Sequence, residues 1–328
     1  MANIYVTREI PEGGLKMLRE KFGTFEMNPN DKVLPREELL QKVKGRDAVL
    51  CLLTDKIDAE VFDAAGPQCK IFSNYAVGFN NVDLKAAGDR NILITNTPGV
   101  LTDATADLAI SLLFSAARRI SESDAYLRAG KFKGWGPMHF LGQDFSGGKT
   151  LGIIGAGRIG ANVAMKMAKG FGLKIIYADM FKNEALEKET GARQVDMETL
   201  CRESDFISVH VNLTPETTHL INEKTLGMMK PNCVLVNTSR GPVIDENALV
   251  AALKAKKIFS AGLDVFEKEP ELAPGLVEQA NCVLVPHIAS ATMWTRTRMA
   301  EIAAQNLIDA LEGREPQFLV NKEFLKKA

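Results

Sequence analysis

Short runs of Val, Ile and Leu with little polar alternation recur almost from end to end of this chain, separated by stretches long enough for a helix. A strand that is apolar at successive positions has both faces buried, as in a parallel sheet covered by helices on each side. The runs fall at 3–7, 48–52, 70–73, 92–95, 150–154, 174–178, 205–211, 233–237, 260–265 and 281–285. Helical crossovers between them imply an α/β architecture with mostly parallel sheets. A chain of 328 residues has material for about two cores, so two doubly wound domains are expected.

Two helices stand out. One is expected from Thr105 to about Ala129, with Asp103 and Asp107 at its N-terminal end. The other runs from about Thr295 to Glu312, with Met299, Ile302, Ala303, Leu307 and Leu311 on one face and Gly313 to end it. It follows the last strand, and packing back on the first domain would make that domain discontinuous. Residues 130–148, with six glycines and Trp135, read as a loop or arm.

Composition narrows the function. Forty basic and 41 acidic residues give a net charge of −1, with no basic stripe for a nucleic-acid backbone, so no nucleic-acid partner is expected. The most apolar stretch, 108–117, is too short to span a bilayer and is interrupted by Ser111 and Ser115. The first residues enter a strand with no secretory leader pattern, and a cytoplasmic protein is expected. The five cysteines are scattered without a CxxC pair, and no His/Cys/Asp cluster has ligand spacing, so no metal is expected.

The strand-like run ending at Ile154 leads directly into Gly155-Ala-Gly-Arg-Ile-Gly160, and a helical pattern follows. In such a motif Gly155 allows a tight turn, Gly157 lets backbone approach a pyrophosphate, and Gly160 lets helix and strand pack closely. Helix N-terminal amides then face the phosphates. An acid at the end of the next strand, Asp179, can accept from an adenosine ribose and repel a 2′-phosphate. The cofactor is therefore expected to be NAD (NADH), with NADP disfavoured, although Lys182 nearby could soften the preference.

Ligands of open parallel sheets bind beyond the carboxyl ends of the strands. Arg240, Glu269 and His287 each follow a different run beyond the dinucleotide motif, at that same edge. A guanidinium can hold a carboxylate and polarise a ketone. A protonated histidine can neutralise charge developing on the ketone oxygen. A carboxylate on the far ring nitrogen fixes the tautomer and favours the protonated ring. Together they suit interconversion of a 2-keto acid and a 2-hydroxy acid. Of the other histidines, His210 reads as structural and His219 as a surface residue; His139, in the arm, is the remaining competitor.

At this point the sequence resembles the D-isomer-specific 2-hydroxyacid dehydrogenase family, and within it the glyoxylate/hydroxypyruvate reductases. The matching motifs include Asn74-Tyr-Ala-Val-Gly78, Asn96-Thr-Pro-Gly99, Ala104-Thr-Ala-Asp107, Val236-Asn-Thr-Ser-Arg-Gly241, Gly262-Leu-Asp-Val265 and Pro286-His-Ile-Ala-Ser-Ala291. The resemblance implies a Rossmann cofactor domain (101–288) inserted in a flavodoxin-like substrate domain (1–100 plus 289–328). It assigns substrate and general-acid roles to Arg240, Glu269 and His287. It adds the amides of Val77 and Gly78 as carboxylate binders, with Leu53 among the substrate contacts. It places Thr105, Arg158 and Ile159 at the cofactor phosphates, and Asp264 and the Thr238 carbonyl at the nicotinamide amide. It makes residues 104–148 a homodimer interface from which Trp135 reaches the partner's active site. Several glyoxylate reductases carry Ser/Arg-type residues where Asp179 stands and use NADP, so this departure points to NAD.

The expected activity is thus NADH-dependent reduction of glyoxylate or hydroxypyruvate to the D-2-hydroxy acid. The alternatives are a phosphoglycerate- or lactate-type dehydrogenase and a dinucleotide-sensing regulator resembling the corepressors of this fold. Formate dehydrogenases place an amide where Glu269 stands and are disfavoured.

Overall fold

The computed structural model describes residues 2–325, which fall into two compact units: residues up to Leu101 together with those from Ser290 on, and Thr102–Ala289. The first unit holds strands β1 (Ile4–Val6), β2 (Glu26–Met27), β3 (Ala48–Leu52), β4 (Ile71–Tyr75) and β5 (Leu93–Thr95). They form a parallel sheet in the order β2-β1-β3-β4-β5, the flavodoxin-like order. Buried Ile4, Val6, Leu50 and Ile71 pack on one side with Met299, Ala303 and Leu307 of the last helix. That helix, Met293–Leu311, starts at a Thr292 cap and crosses close to the helix Glu12–Phe22. A Cβ on Gly14 would lie 2.5 Å from the Ala300 carbonyl oxygen, so only glycine permits this approach. The Ser73 hydroxyl donates to the Ala303 carbonyl at 2.9 Å and ties the helix to β4.

The second unit holds β6 (Thr150–Ile154), β7 (Lys174–Ala178), β8 (Arg193–Gln194), β9 (Phe206–Val209), β10 (Val234–Asn237), β11 (Ser260–Leu263) and β12 (Cys282–Leu284). Its order is β12-β11-β10-β9-β6-β7-β8, all parallel, which is the doubly wound dinucleotide-binding order with one added edge strand. Strand order reverses between β6 and β9, so the switch point lies beside the glycine loop.

Three features depart from the sequence reading. β2 and β8 are two-residue edge strands of Glu-Met and Arg-Gln, with no apolar run to announce them. The long helix expected over 105–129 is two helices, Thr102–Ala117 and Ile120–Arg128. Arg119 between them adopts the left-handed φ of 55°. Its guanidinium grips both Glu122 oxygens at 2.8 Å and lies 5.1 Å from the Phe140 ring centre. The Gln143 amide takes the Ala117 carbonyl freed by the break, at 2.9 Å. Among the described residues, no helix is long and apolar enough to cross a membrane.

Candidate active site

The three glycines of the loop after β6 do different work. Gly155 has φ 90°, and a Cβ there would lie 2.8 Å from the His210 carbonyl carbon. At Gly160 a Cβ would lie 2.0 Å from the Gly155 oxygen, so this glycine lets the helix Arg158–Phe171 sit on its own strand. At Gly157, the residue before that helix, a Cβ would meet nothing within 4 Å among the described residues. The chain's packing therefore does not require Gly157, whereas a pyrophosphate approaching the backbone would, and the loop fits a dinucleotide. Arg158 and Ile159 are the first residues of the helix that begins directly after Gly157, and helix N-terminal amides are the kind of donors that phosphates take.

Asp179 follows β7. Its carboxylate accepts the Ala156 amide at 2.7 Å and the Phe181 amide at 3.1 Å, which pins it beside the glycine loop. Ala156, Gly157, Asp179, Phe181, Lys182 and Asn183 line an open hollow of about 420 Å³. That size is within the small-ligand range of roughly 300–1,000 Å³. Lys182 turns its ammonium to Glu187, 3.2 Å away. Thr105 lies buried in the helix Thr102–Ala117.

Arg240, Asp264 and His287 follow the adjacent parallel strands β10, β11 and β12, and so share one edge. His287 has φ 51°, unusual for a residue with a side chain, and Asp264 holds it there. The Asp264 carbonyl accepts the His287 amide at 2.9 Å; its carboxylate accepts the Ile288 amide at 2.6 Å and the Ala289 amide at 3.0 Å. Burial raises the Asp264 pKa above the ordinary carboxylate value, against the Ile288 amide and the nearby His287. Asp264, expected at the nicotinamide amide, is thus a carboxylate that fixes the His287 turn.

The Glu269 carboxylate stands 3.0 Å from His287 Nδ1 and accepts the Phe266 amide at 3.0 Å. Burial pushes the Glu269 pKa up, but the His287 bond and charge, the Phe266 amide and Arg240 outweigh it and hold the carboxyl below its ordinary value. Burial draws the Arg240 pKa below its ordinary value, against the attraction of Glu269. One Arg240 nitrogen donates to the Ser239 carbonyl at 2.7 Å. The next residue, Gly241, passes so near the β11 exit that a Cβ would lie 1.8 Å from the Phe266 carbonyl carbon. The residues expected to act together are therefore together: a guanidinium near a carboxylate, and that carboxylate on one nitrogen of an imidazole.

Val77, Gly78 and Leu53 belong to the first unit, on the segments after β4 and β3. Thr238, after β10, is buried, and its hydroxyl has no hydrogen-bond partner among the described residues. Trp135 is 85% exposed in a stretch without regular secondary structure, as the exposed-arm reading expects.

Residues 110–289 match the family "D-isomer specific 2-hydroxyacid dehydrogenase, NAD binding domain". A glyoxylate reductase of Thermococcus litoralis is 53% identical over 326 residues, covering 98% of this chain and 97% of the relative. This chain is a D-2-hydroxyacid dehydrogenase family member. Its fold is shared with solved members. A glyoxylate reductase from Paecilomyes thermophila superposes with a TM-score of 0.86 at 33% identity, over 98% of this chain and 99% of the other. An NADPH-dependent glyoxylate/hydroxypyruvate reductase from Sinorhizobium meliloti does so with 0.83 at 30% identity, over 100% of both.

Two features of this dehydrogenase escaped sequence reading. His219, expected as a plain surface residue, is only partly exposed, and its Nε2 lies 2.8 Å from the Glu267 carboxylate, two residues before Glu269. Glu246, nearly fully buried, accepts the Glu267 amide at 2.8 Å and the Ala273 amide at 3.2 Å, clasping both ends of the turn that carries Glu269. Burial and the neighbouring carboxylates raise the Glu246 pKa against those two amides. The one sequence signal for Glu246 is its place after the Asp245 cap, at the start of the helix Glu246–Lys254. His210, read from sequence as structural, lies just after β9. It is half-buried, with Nε2 2.8 Å from the Ser208 hydroxyl, and burial of the ring lowers its pKa to about 3.

Proposed function

We propose that this protein reduces glyoxylate or hydroxypyruvate to the D-2-hydroxy acid with NADH, using Arg240, Glu269 and His287. The observation that carries the reading is the 3.0 Å contact of Glu269 with His287 Nδ1, near Arg240 at one sheet edge. With Nδ1 engaged, Nε2 is the ring nitrogen left for a substrate. The imidazolium gives its proton to the ketone oxygen as charge develops there. Arg240 holds the carboxylate and polarises the carbonyl, and burial strengthens both effects. When bound, the nicotinamide cofactor supplies the hydride received by the ketone carbon.

Gly155, Gly157, Arg158, Ile159, Gly160 and Thr105 would hold its phosphates, Asp179 its adenosine ribose, and Asp264 with the Thr238 carbonyl its carboxamide. Residues 101–288 would form the cofactor domain, and 1–100 with 289–328 the substrate domain. Val77 and Gly78 amides would bind the substrate carboxylate, with Leu53 and a partner's Trp135 completing its surroundings in a homodimer. NADH over NADPH is supported by Asp179 at the ribose position and by the pairing of Lys182 with Glu187, which draws that cation from a 2′-phosphate.

The test is cofactor oxidation by the purified protein with glyoxylate, hydroxypyruvate, pyruvate and phosphohydroxypyruvate, with NADH and then NADPH. Fast NADH-dependent turnover of either of the first two is expected. Turnover confined to pyruvate or phosphohydroxypyruvate would move the assignment within the family. NADPH preference would remove the discriminating role of Asp179.

A further inference from the structure

The turn after β4 is held by side chains with no part in the chemistry proposed above. In a trans peptide the carbonyl of one residue and the amide of the next point in opposite directions. Three successive carbonyls of this turn are engaged. The Thr97 amide donates to the Ala76 carbonyl at 2.8 Å, Asn96 Nδ2 to the Val77 carbonyl at 2.7 Å, and Asn74 Nδ2 to the Gly78 carbonyl at 3.1 Å. Each bond turns the following amide the other way. Among the described residues, the amides of Val77 and Gly78 donate to no acceptor.

The clamping side chains are themselves fixed. Asn74 is fully buried and Asn96 7% exposed. The Asn96 amide donates to the Phe318 carbonyl at 3.2 Å, and its carbonyl accepts Asn306 Nδ2 at 3.2 Å. Asn81 accepts from Asn74 Nδ2 at 3.2 Å, and its own Nδ2 donates to the Leu52 carbonyl at 3.1 Å and the Asp55 carbonyl at 3.0 Å. One carboxamide lattice thus sets both the 76–79 turn and the segment bearing Leu53.

We propose that Asn74, Asn81 and Asn96 are positioning residues that hold the 76–79 turn with its carbonyls inward and its amides outward, as a preformed receptor for the substrate carboxylate. The inference rests on the assignment of Val77 and Gly78 as carboxylate binders. Carbonyl oxygens facing an anion would repel it, whereas successive amides form a concave donor site. Fixing them before binding removes the ordering cost from each encounter. Only a side chain with two hydrogens on one nitrogen can meet two acceptors here, which is why Asn81 and Asn74 suit their places.

Asn96→Asp tests this, because it keeps the shape but replaces the donor on Val77 with an anion. The expected result is a KM for glyoxylate raised roughly tenfold or more, with kcat within about twofold. The Ki of oxalate, a competitive carboxylate probe, should rise by the same factor, while NADH affinity read by fluorescence stays unchanged. A purely structural asparagine would lower the melting temperature without this split. If Asn96→Asp does not fold, Asn96→Ala and Asn74→Ala are read through oxalate binding, with a smaller rise in Ki expected. Unchanged KM and Ki in a folded variant, or a loss confined to kcat, overturns the proposal. Wild-type protein that binds oxalate but does not reduce glyoxylate would strike the functional reading alone, since the clamp is still read by oxalate.

Discussion

At the scale of single residues, the Glu269–His287 pair carries a prediction whose sign follows from proton bookkeeping. In the mechanism proposed above, keto-acid reduction draws its proton from an imidazolium, so reduction should weaken as pH rises. The Glu269 carboxyl is held below its ordinary value by the His287 bond and charge against the cost of burial, so it is ionised at neutral pH. Its charge stands 3.0 Å from His287 Nδ1; in general a carboxylate so placed stabilises a cationic neighbour. Glu269→Gln keeps an oxygen for the contact but removes the charge, so the high-pH limit of kcat/KM for reduction should move to lower pH. A pH profile of the variant that overlays the wild type would strip Glu269 of this role. The trio was legible because each member follows a Val/Leu-rich run and parallel strands bring such positions to one edge. The asparagine lattice was not, because nothing local in the sequence shows which groups the carboxamides of Asn74, Asn81 and Asn96 meet. Their partners lie four to 29 residues away within these loops, and further still in the final helix.

At the scale of elements, β6, its glycine loop and the helix Arg158–Phe171 separate a packing requirement from a binding one. A Cβ on Gly160 would stand 2.0 Å from the Gly155 oxygen, so Gly160→Ala must push the helix off its strand. Overpacking of this kind costs about 1–3 kcal/mol, and the melting temperature should fall by roughly 5 °C. Gly157→Ala meets nothing within 4 Å, so its melting temperature should stay within about 1 °C. Its NADH affinity should fall at least roughly tenfold, because the methyl group occupies the approach of the pyrophosphate. Calorimetry and fluorescence titration on the two variants check the contrast; equal NADH affinity in Gly157→Ala and wild type would show that the dinucleotide does not lie over this loop. Such a unit is readable in sequence because its constraints are local. The break at Arg119 is not: it depends on Phe140 and Gln143, brought back by a loop against the helix end. β2 and β8 owe their strand character to a neighbouring strand rather than to their own residues.

At the scale of the whole molecule, the second unit leaves several large apolar side chains exposed along one stretch of sequence, among the described residues. The helix Ile120–Arg128 has no buried residue, and Ile120 and Leu127 are exposed on it. Phe132, Trp135, Met138 and Leu141 follow in the arm, all more than half exposed. Phe145, at the end of the arm, is by contrast stacked on Phe206 at 4.6 Å and 3° and roots the arm in the sheet. Monomers rarely expose contiguous apolar patches beyond a few hundred Å², and a self-complementary twofold contact is the commonest way to cover one. The proposed homodimer should therefore sediment at twice the chain mass of 35.9 kDa. Leu127→Glu with Phe132→Glu would place unpaired charges in such a contact, each costing several kcal/mol, and should shift the protein to monomer at micromolar concentration. Trp135→Ala should leave the dimer intact and, if the side chain reaches the partner's site, raise KM for the keto acid. Sedimentation velocity decides the first part: a wild-type monomer across the micromolar range would leave the apolar arm without its proposed partner, and a double variant that stays dimeric would place the contact on another face.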